Sequence, residues 1–284
     1  MTYYRVVTRV VKGSPTMEGA GVHLKRLFGF GAETDFDPFL LMDHFGSDRP
    51  EQYIAGFPWH PHRGIETITY VLEGMVEHMD SLGNSGIISS GDIQWMTAGS
   101  GIVHQEMPKG DTAGRMSGFQ LWSNLPKADK MISPKYREIK AGKIPHVLLD
   151  DGTSVGIIAG TYQGVVGPVD DIVSHPIYFD VDLPTSGCFR HLIPSGHTTL
   201  AYVFKGEVYF GNGEGAEKVS AENLAVLSDA GDVAATASAS GGRFILFSGK
   251  PLREPVAWRG PIVMNTEEEL RIAFEEYRNG TFIK

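Results

Sequence analysis

The chain has 284 residues, 42% hydrophobic and 21% charged, enough for one large or two ordinary globular domains. A net charge of −9 and a pI near 5.6 leave no general excess of basic side chains, so no direct nucleic-acid partner is expected. No apolar run reaches the ~18 residues of a membrane span, the first residues lack a signal-peptide stretch, and the single cysteine, Cys188, permits no intrachain disulfide. A soluble cytoplasmic protein without membrane contact is the expectation.

Short segments rich in Val, Ile, Thr and aromatic residues recur at 4–11, 66–72, 92–96, 118–122, 155–159, 200–204, 208–210, 224–227 and 244–247. Gly, Asn, Asp or Pro bounds most of them, the signature of antiparallel sandwiches and barrels. Near the start, Arg5, Arg9, Lys12, Lys25 and Arg26 read as scattered solvated charges. Midway, the polar, proline-punctuated stretch 133–145 reads as a linker between an N-terminal domain, 1–132, and a C-terminal one, 146–284. Gly211-x-Gly213-x-x-Ala216 fits a relaxed dinucleotide fingerprint, but no helical pattern follows it, and a hairpin loop is expected. Helical periodicity appears only at the end. Thr266-x-x-Glu269 forms a capping box, Leu270, Ala273, Phe274 and Tyr277 follow at helical spacing, and Gly280 closes the run. A helix over 267–279, packed on a domain face, is predicted.

The two halves resemble each other. Residues 64–76 align with 196–208, including Tyr70-Val71 with Tyr202-Val203 and Gly74 with Gly206, and Gly91-Asp92 aligns with Gly231-Asp232. Two barrels of common design follow, each with a hairpin at its Glu73-Gly74 or Lys205-Gly206 turn.

The chemistry concentrates in two pairs, His60-Pro61-His62 and His104-Gln105-Glu106. Residues i and i+2 of a strand share a face, so the pairs can aim three imidazoles and one carboxylate at a single ion. Such a set suits Fe(II), Mn(II), Ni(II) or Zn(II). In the internal alignment these positions face Leu192, Pro194, Phe244 and Leu246, so the metal chemistry is assigned to the first half. His191 and His197 lie nearby but out of register. Glu66, four residues after His62 and nominally on the same face, is a second candidate carboxylate.

Gly56…His60-Pro-His62-x-x-x-Glu66…Gly74 and Gly91…Gly101-x-x-His104 match the two short motifs of the cupin superfamily. Residues 36–46, 57–67, 98–108, 118–126 and 259–266 further resemble the pirin family, and the resemblance runs along essentially the whole chain. It implies an all-β bicupin: two cupin barrels (double-stranded β-helix, or jelly-roll) in tandem with a short C-terminal α-helix, and one iron site in the N-terminal barrel. The general cupin rule points to Glu66 as the carboxylate ligand. The pirin pattern points to Glu106 and is preferred, giving His60, His62, His104 and Glu106 around one divalent ion, Fe(II) first, with Mn, Ni, Cu and Zn as alternatives. The implied activity is quercetin 2,3-dioxygenase-type ring cleavage of a flavonol-like substrate by O2, with Glu106 as acceptor of the substrate's proton. Phe57, Trp59, Met96, Phe119 and Trp122 are candidates for the pocket wall, and Arg63 for its rim. The alternative is a metal- or redox-gated binding protein that regulates a transcription factor or metabolic enzyme without turnover. A monomer is expected.

Overall fold

A computed structural model describes residues 3–284 apart from 171 and 175. The chain forms two compact units. The first joins Ser14–Ala141 to Leu252–Lys284; the second joins the segment ending at Gly13 to Gly142–Pro251. Each is built almost wholly of antiparallel strands. These units do not coincide with boundaries at 132 and 146.

The first unit pairs a seven-stranded sheet with a four-stranded one. Strands Ile65–Glu73, Met116–Asn124 and Phe39–Ser47 lie at the centre of the larger sheet, and Ile102–Lys109 is central to the smaller. In Ile102–Lys109 burial alternates, so that Ile102, His104, Glu106 and Pro108 point inward. The expected hairpin at Glu73-Gly74 does not form. Ile65–Glu73 and Met75–Asp80 belong to different sheets, and Gly74 (φ 82°) turns the chain from one to the other. A Cβ there would sit 2.7 Å from the Lys109 carbonyl oxygen, so the corner requires glycine.

The expected linker is also corrected. Lys135–Ile139 is a strand, paired with Ile93–Thr97 at the edge of the seven-stranded sheet. An edge strand has one unpaired side and tolerates polar residues, which is why its composition imitates a linker.

The C-terminal helix spans Glu267–Arg278, with both reciprocal bonds of the Thr266–Glu269 capping box in place. It belongs to the first unit rather than the second. Leu270, Ala273 and Phe282 pack with Ala257, Ile262 and Met264, against which Val103 also lies. Arg63 fastens this segment. It is fully buried, not on a solvated rim: Nε donates to the Ser100 carbonyl (2.7 Å), Nη1 to Glu276 Oε2 (2.6 Å) and Nη2 to the Phe282 carbonyl (2.8 Å). Its guanidinium stacks 4.2 Å from the Phe282 ring centroid.

The second unit is a nine-stranded sheet arrangement with an apolar interior. Phe244 and Leu246, aligned with His104 and Glu106, are fully buried beside Phe189 and Phe210. The strand Thr198–Phe210 continues through Gly206 with a register shift, so no hairpin forms there either. The Gly211–Ala216 stretch joins paired strands, as a hairpin loop should. Arg5 is buried, and its guanidinium donates to the carbonyls of Pro194, His197, Ser228 and Gly231. No helix among the described residues is long and apolar enough to cross a membrane.

The buried Arg63 contacts yield a prediction. Arg63→Ala removes the donor to Glu276 Oε2, whose other oxygen keeps Lys284, and to two carbonyls, and should cost roughly 3 kcal/mol of stability. Urea unfolding measures it; a loss within ~0.5 kcal/mol, the scatter of ordinary surface substitutions, would refute the fastening role.

Candidate metal centre

Three imidazoles converge in the first unit. His60, His62 and His104 each offer a ring nitrogen within 4.8 Å of the others, the only such group of three His, Cys, Asp or Glu residues identified among the described residues. The strand register explains the meeting: His104 pairs directly with His60, and Ile102 with His62, across adjacent strands.

The proton count shows what the cluster can hold. His60 Nδ1 lies 2.9 Å from the Pro58 carbonyl oxygen and His62 Nδ1 lies 3.1 Å from that of Pro261. A carbonyl only accepts, so both Nδ1 atoms carry the hydrogen and both Nε2 atoms present lone pairs. Those two Nε2 atoms face each other at 3.1 Å. Nothing between two lone pairs is repulsive; a cation between them is not. Two nitrogens bound to one ion at about 2.1 Å and a right angle stand about 3.0 Å apart, so the spacing fits adjacent ligands. His104 is 0% exposed and neither of its ring nitrogens has a hydrogen-bond partner. A buried imidazole in that condition calls for an ion or water. Burial lowers the pKa of all three histidines; for His62 and His104, well below the usual value, repulsion from neighbouring histidines adds to it. They are therefore neutral and available as ligands at neutral pH.

Glu106 lies two residues beyond His104 on the same inward face and lines the same cavity as His60 and His62. Burial pushes its carboxyl up to about 7, against the lowering effect of a 3.0 Å hydrogen bond from Thr69 Oγ1. Glu66 is elsewhere. It accepts from Thr97 Oγ1 at 2.8 Å and does not line the cavity. The expectation that it shares a face with His62 fails, because the strand carrying the histidines ends at His62 and a new one begins at Ile65.

The cavity is about 490 Å3, a size suited to a small organic ligand. Phe57 and Trp122 line it as expected; Trp59, Met96 and Phe119 do not. Trp59 is 49% exposed, Met96 packs among Leu40, Ile65 and Ile102, and Phe119 meets the His44 ring edge-on. Trp258 and Pro261 complete the wall from the C-terminal segment. Arg26, expected as a solvated charge, also lines it, held by Asp43 (2.9 and 2.7 Å) and Glu18 (2.8 Å).

Sequence reasoning missed a fourth histidine. His78 is buried with its ring centroid 5.2 Å from that of His104, stacked on Tyr136 and bonded through Nδ1 to Gln94 Nε2 (2.8 Å). His78-x-Asp80 repeats the His-x-acid pattern and was the available signal.

A jelly-roll domain with three inward histidines, two of them lining a cavity walled in part by tryptophans, defines a cupin with a candidate metal site. Comparisons with known proteins make this more specific. Residues 21–123 match the pirin family model and residues 178–283 the pirin C-terminal cupin domain. A Pseudomonas aeruginosa protein, named provisionally as a quercetin 2,3-dioxygenase, is 42% identical over 99% of both chains. Human pirin is 39% identical over 96% of this chain and 92% of its own. The crystal structure of a quercetin 2,3-dioxygenase from Acinetobacter baumannii superposes with a TM-score of 0.89 at 32% identity over 99% of both chains. The chain belongs to the pirin family.

The Glu106 environment predicts a pH dependence in metal-free protein. Its folded pKa, about 7, lies above the ordinary 4.5, so burying the protonated form stabilises the fold fully below pH 4.5, and that contribution is lost as pH rises through about 7. Glu106→Gln does not titrate, and the histidines are common to both proteins. The variant should gain roughly 3 kcal/mol on wild type between about pH 5 and about pH 8. Urea unfolding after chelation tests this; parallel pH curves would refute it.

Proposed function

We infer that this protein is an iron-dependent dioxygenase of the quercetin 2,3-dioxygenase type, in which His60, His62, His104 and Glu106 hold one Fe(II) and a flavonol-like aromatic and O2 are the substrates. The observation that carries the reading is the 3.1 Å approach of two deprotonated Nε2 atoms beside the partnerless His104, at the end of an aromatic-walled cavity. The names borne by the Pseudomonas and Acinetobacter relatives supply the substrate class.

A divalent ion bound there supplies Lewis acidity and a template for an enol and dioxygen. The protein's own groups do the rest. Trp122 and Trp258, whose ring centroids are 6.1 Å apart, offer flat apolar surface to an aromatic ligand and displace water from it. Pro58 and Pro261 carbonyls hold His60 and His62 in one tautomer and one orientation, so the site is set before ligand arrives. Glu106, inward on the strand of His104 and lining the cavity, is the carboxylate placed to take the enol proton on Oε1 or Oε2. Thr69 Oγ1 steadies that carboxyl.

Elemental analysis of the isolated protein, followed by an oxygen electrode with quercetin, tests the proposal. One iron per chain and quercetin-dependent uptake are expected. His62→Ala should lose the metal and at least about 100-fold in rate. No uptake by fully Fe(II)-loaded protein would overturn turnover and leave the reading of a metal-gated binding protein.

A further inference from the structure

Five polar side chains stand in one line across the seven-stranded sheet. Arg26 is the register partner of Asp43, Asp43 of Gln120, Gln120 of Thr69, and Thr69 of Gln94. Register partners in antiparallel strands point to the same face. The rows on either side are largely apolar, with Leu24, Phe45 and Val71 in one and Leu41, Trp122 and Met96 in the other. Burying a polar row between them costs stability unless each group is matched. Two members already have tasks: Thr69 bonds Glu106, and Gln94 bonds His78. Gln120, Asp43 and Arg26 touch neither, and all three line the cavity.

At Thr69 two oxygens compete for one proton. Glu106 Oε1 is 3.0 Å from the hydroxyl and Gln120 Oε1 is 2.6 Å from it. A hydroxyl donates once. One of the two oxygens takes that proton, and the rest of the Gln120 carboxamide, which lines the cavity, is left to a ligand. Beyond it, both oxygens of Asp43 are held by Arg26, fixing a second polar spot. Three strand spacings, about 14 Å, separate Thr69 from Arg26 along the row, a reach that suits two linked ring systems.

We propose that Gln120, with the Asp43–Arg26 pair beyond it, determines specificity by recognising hydroxyl groups on the edge of an aromatic ligand whose other end lies at the three imidazoles. The inference rests on the flavonol reading above and adds to it which part of the ligand is read and by what. Apolar walls discriminate poorly against a missing hydroxyl; a polar side chain that the ligand covers discriminates well, because it is left unpaired when the hydroxyl is absent.

The test is anaerobic titration of the full chain loaded with nickel(II), followed by tryptophan fluorescence. The ligands are quercetin and 3-hydroxyflavone, which keeps the ring skeleton and the 3-hydroxy-4-keto pair but lacks the other hydroxyls. Wild type should bind quercetin roughly tenfold tighter. In Gln120→Leu the ratio should fall to within about twofold, because quercetin loses affinity. The wild-type ratio is informative whether or not the variant folds. Equal affinities in wild type, or a variant weakened equally for both ligands, overturn the recognition role alone. Failure of wild type to bind either flavonol overturns the flavonol reading itself, and this inference with it.

Discussion

Two imidazole lone pairs held face to face without a proton between them are the constraint on which the first unit turns. The backbone enforces the confrontation, since Pro58 and Pro261 carbonyls occupy the only hydrogens that could relieve it. Pro261 belongs to the C-terminal segment, and so do Trp258 in the cavity wall and the Phe282 carbonyl on Arg63. The return of residues 252–284 to the first unit is therefore part of the site's construction: it supplies one histidine's orientation and a wall of the cavity. Arg63, next in sequence to His62, links that segment to the histidine pair through a fully buried guanidinium.

The second unit shows what the same design becomes without this constraint. Where the first has His104 and Glu106, the second has Phe244 and Leu246, both fully buried. An apolar interior gains from burial outright, whereas the first unit's polar interior gains only where every group is matched. Among its unmatched buried atoms are His104 Nδ1 and Nε2, Gln94 Oε1 and the Tyr136 hydroxyl. His78 is the neighbour of both His104 and Tyr136, with ring centroids 5.2 and 4.9 Å away, and Gln94 is bonded to it, so these groups adjoin the three imidazoles.

Much of this was legible in the sequence, and the illegible remainder has physical causes. Strand segments, the capped helix and the His-x-His and His-x-Glu pairs are local patterns, and local rules read them. The helix's allegiance was illegible because Leu270 and Ala273 announce an apolar face without naming what it meets. Lys135–Ile139 was misread because an edge strand and a linker share a composition. The turn at Gly74 was read as a hairpin because sequence shows a reversal but not whether the next strand joins the same sheet. The polar row from Arg26 to Gln94 was invisible for a deeper reason. Its members are scattered over five strands, and only register brings them together.

Register parity also separates the two glutamates that the sequence left in competition. The motif spacing places Glu66 on the face of His62 only if one strand runs unbroken through both. Gly64, with φ 78°, interrupts it: its amide donates to the Gly99 carbonyl, and a Cβ there would lie 2.0 Å from the Val263 carbonyl oxygen. Parity restarts at Ile65. Thr69 then points into the cavity, so Glu66, three residues earlier, points out of it, toward Thr97. No such break lies between His104 and Glu106, which share the strand Ile102–Lys109. Although the strand-pairing register shifts between these residues on the Phe57–His62 side, both keep their inward alternation. A carboxylate two residues along an unbroken strand keeps company with its histidine; one four residues away across a glycine corner does not.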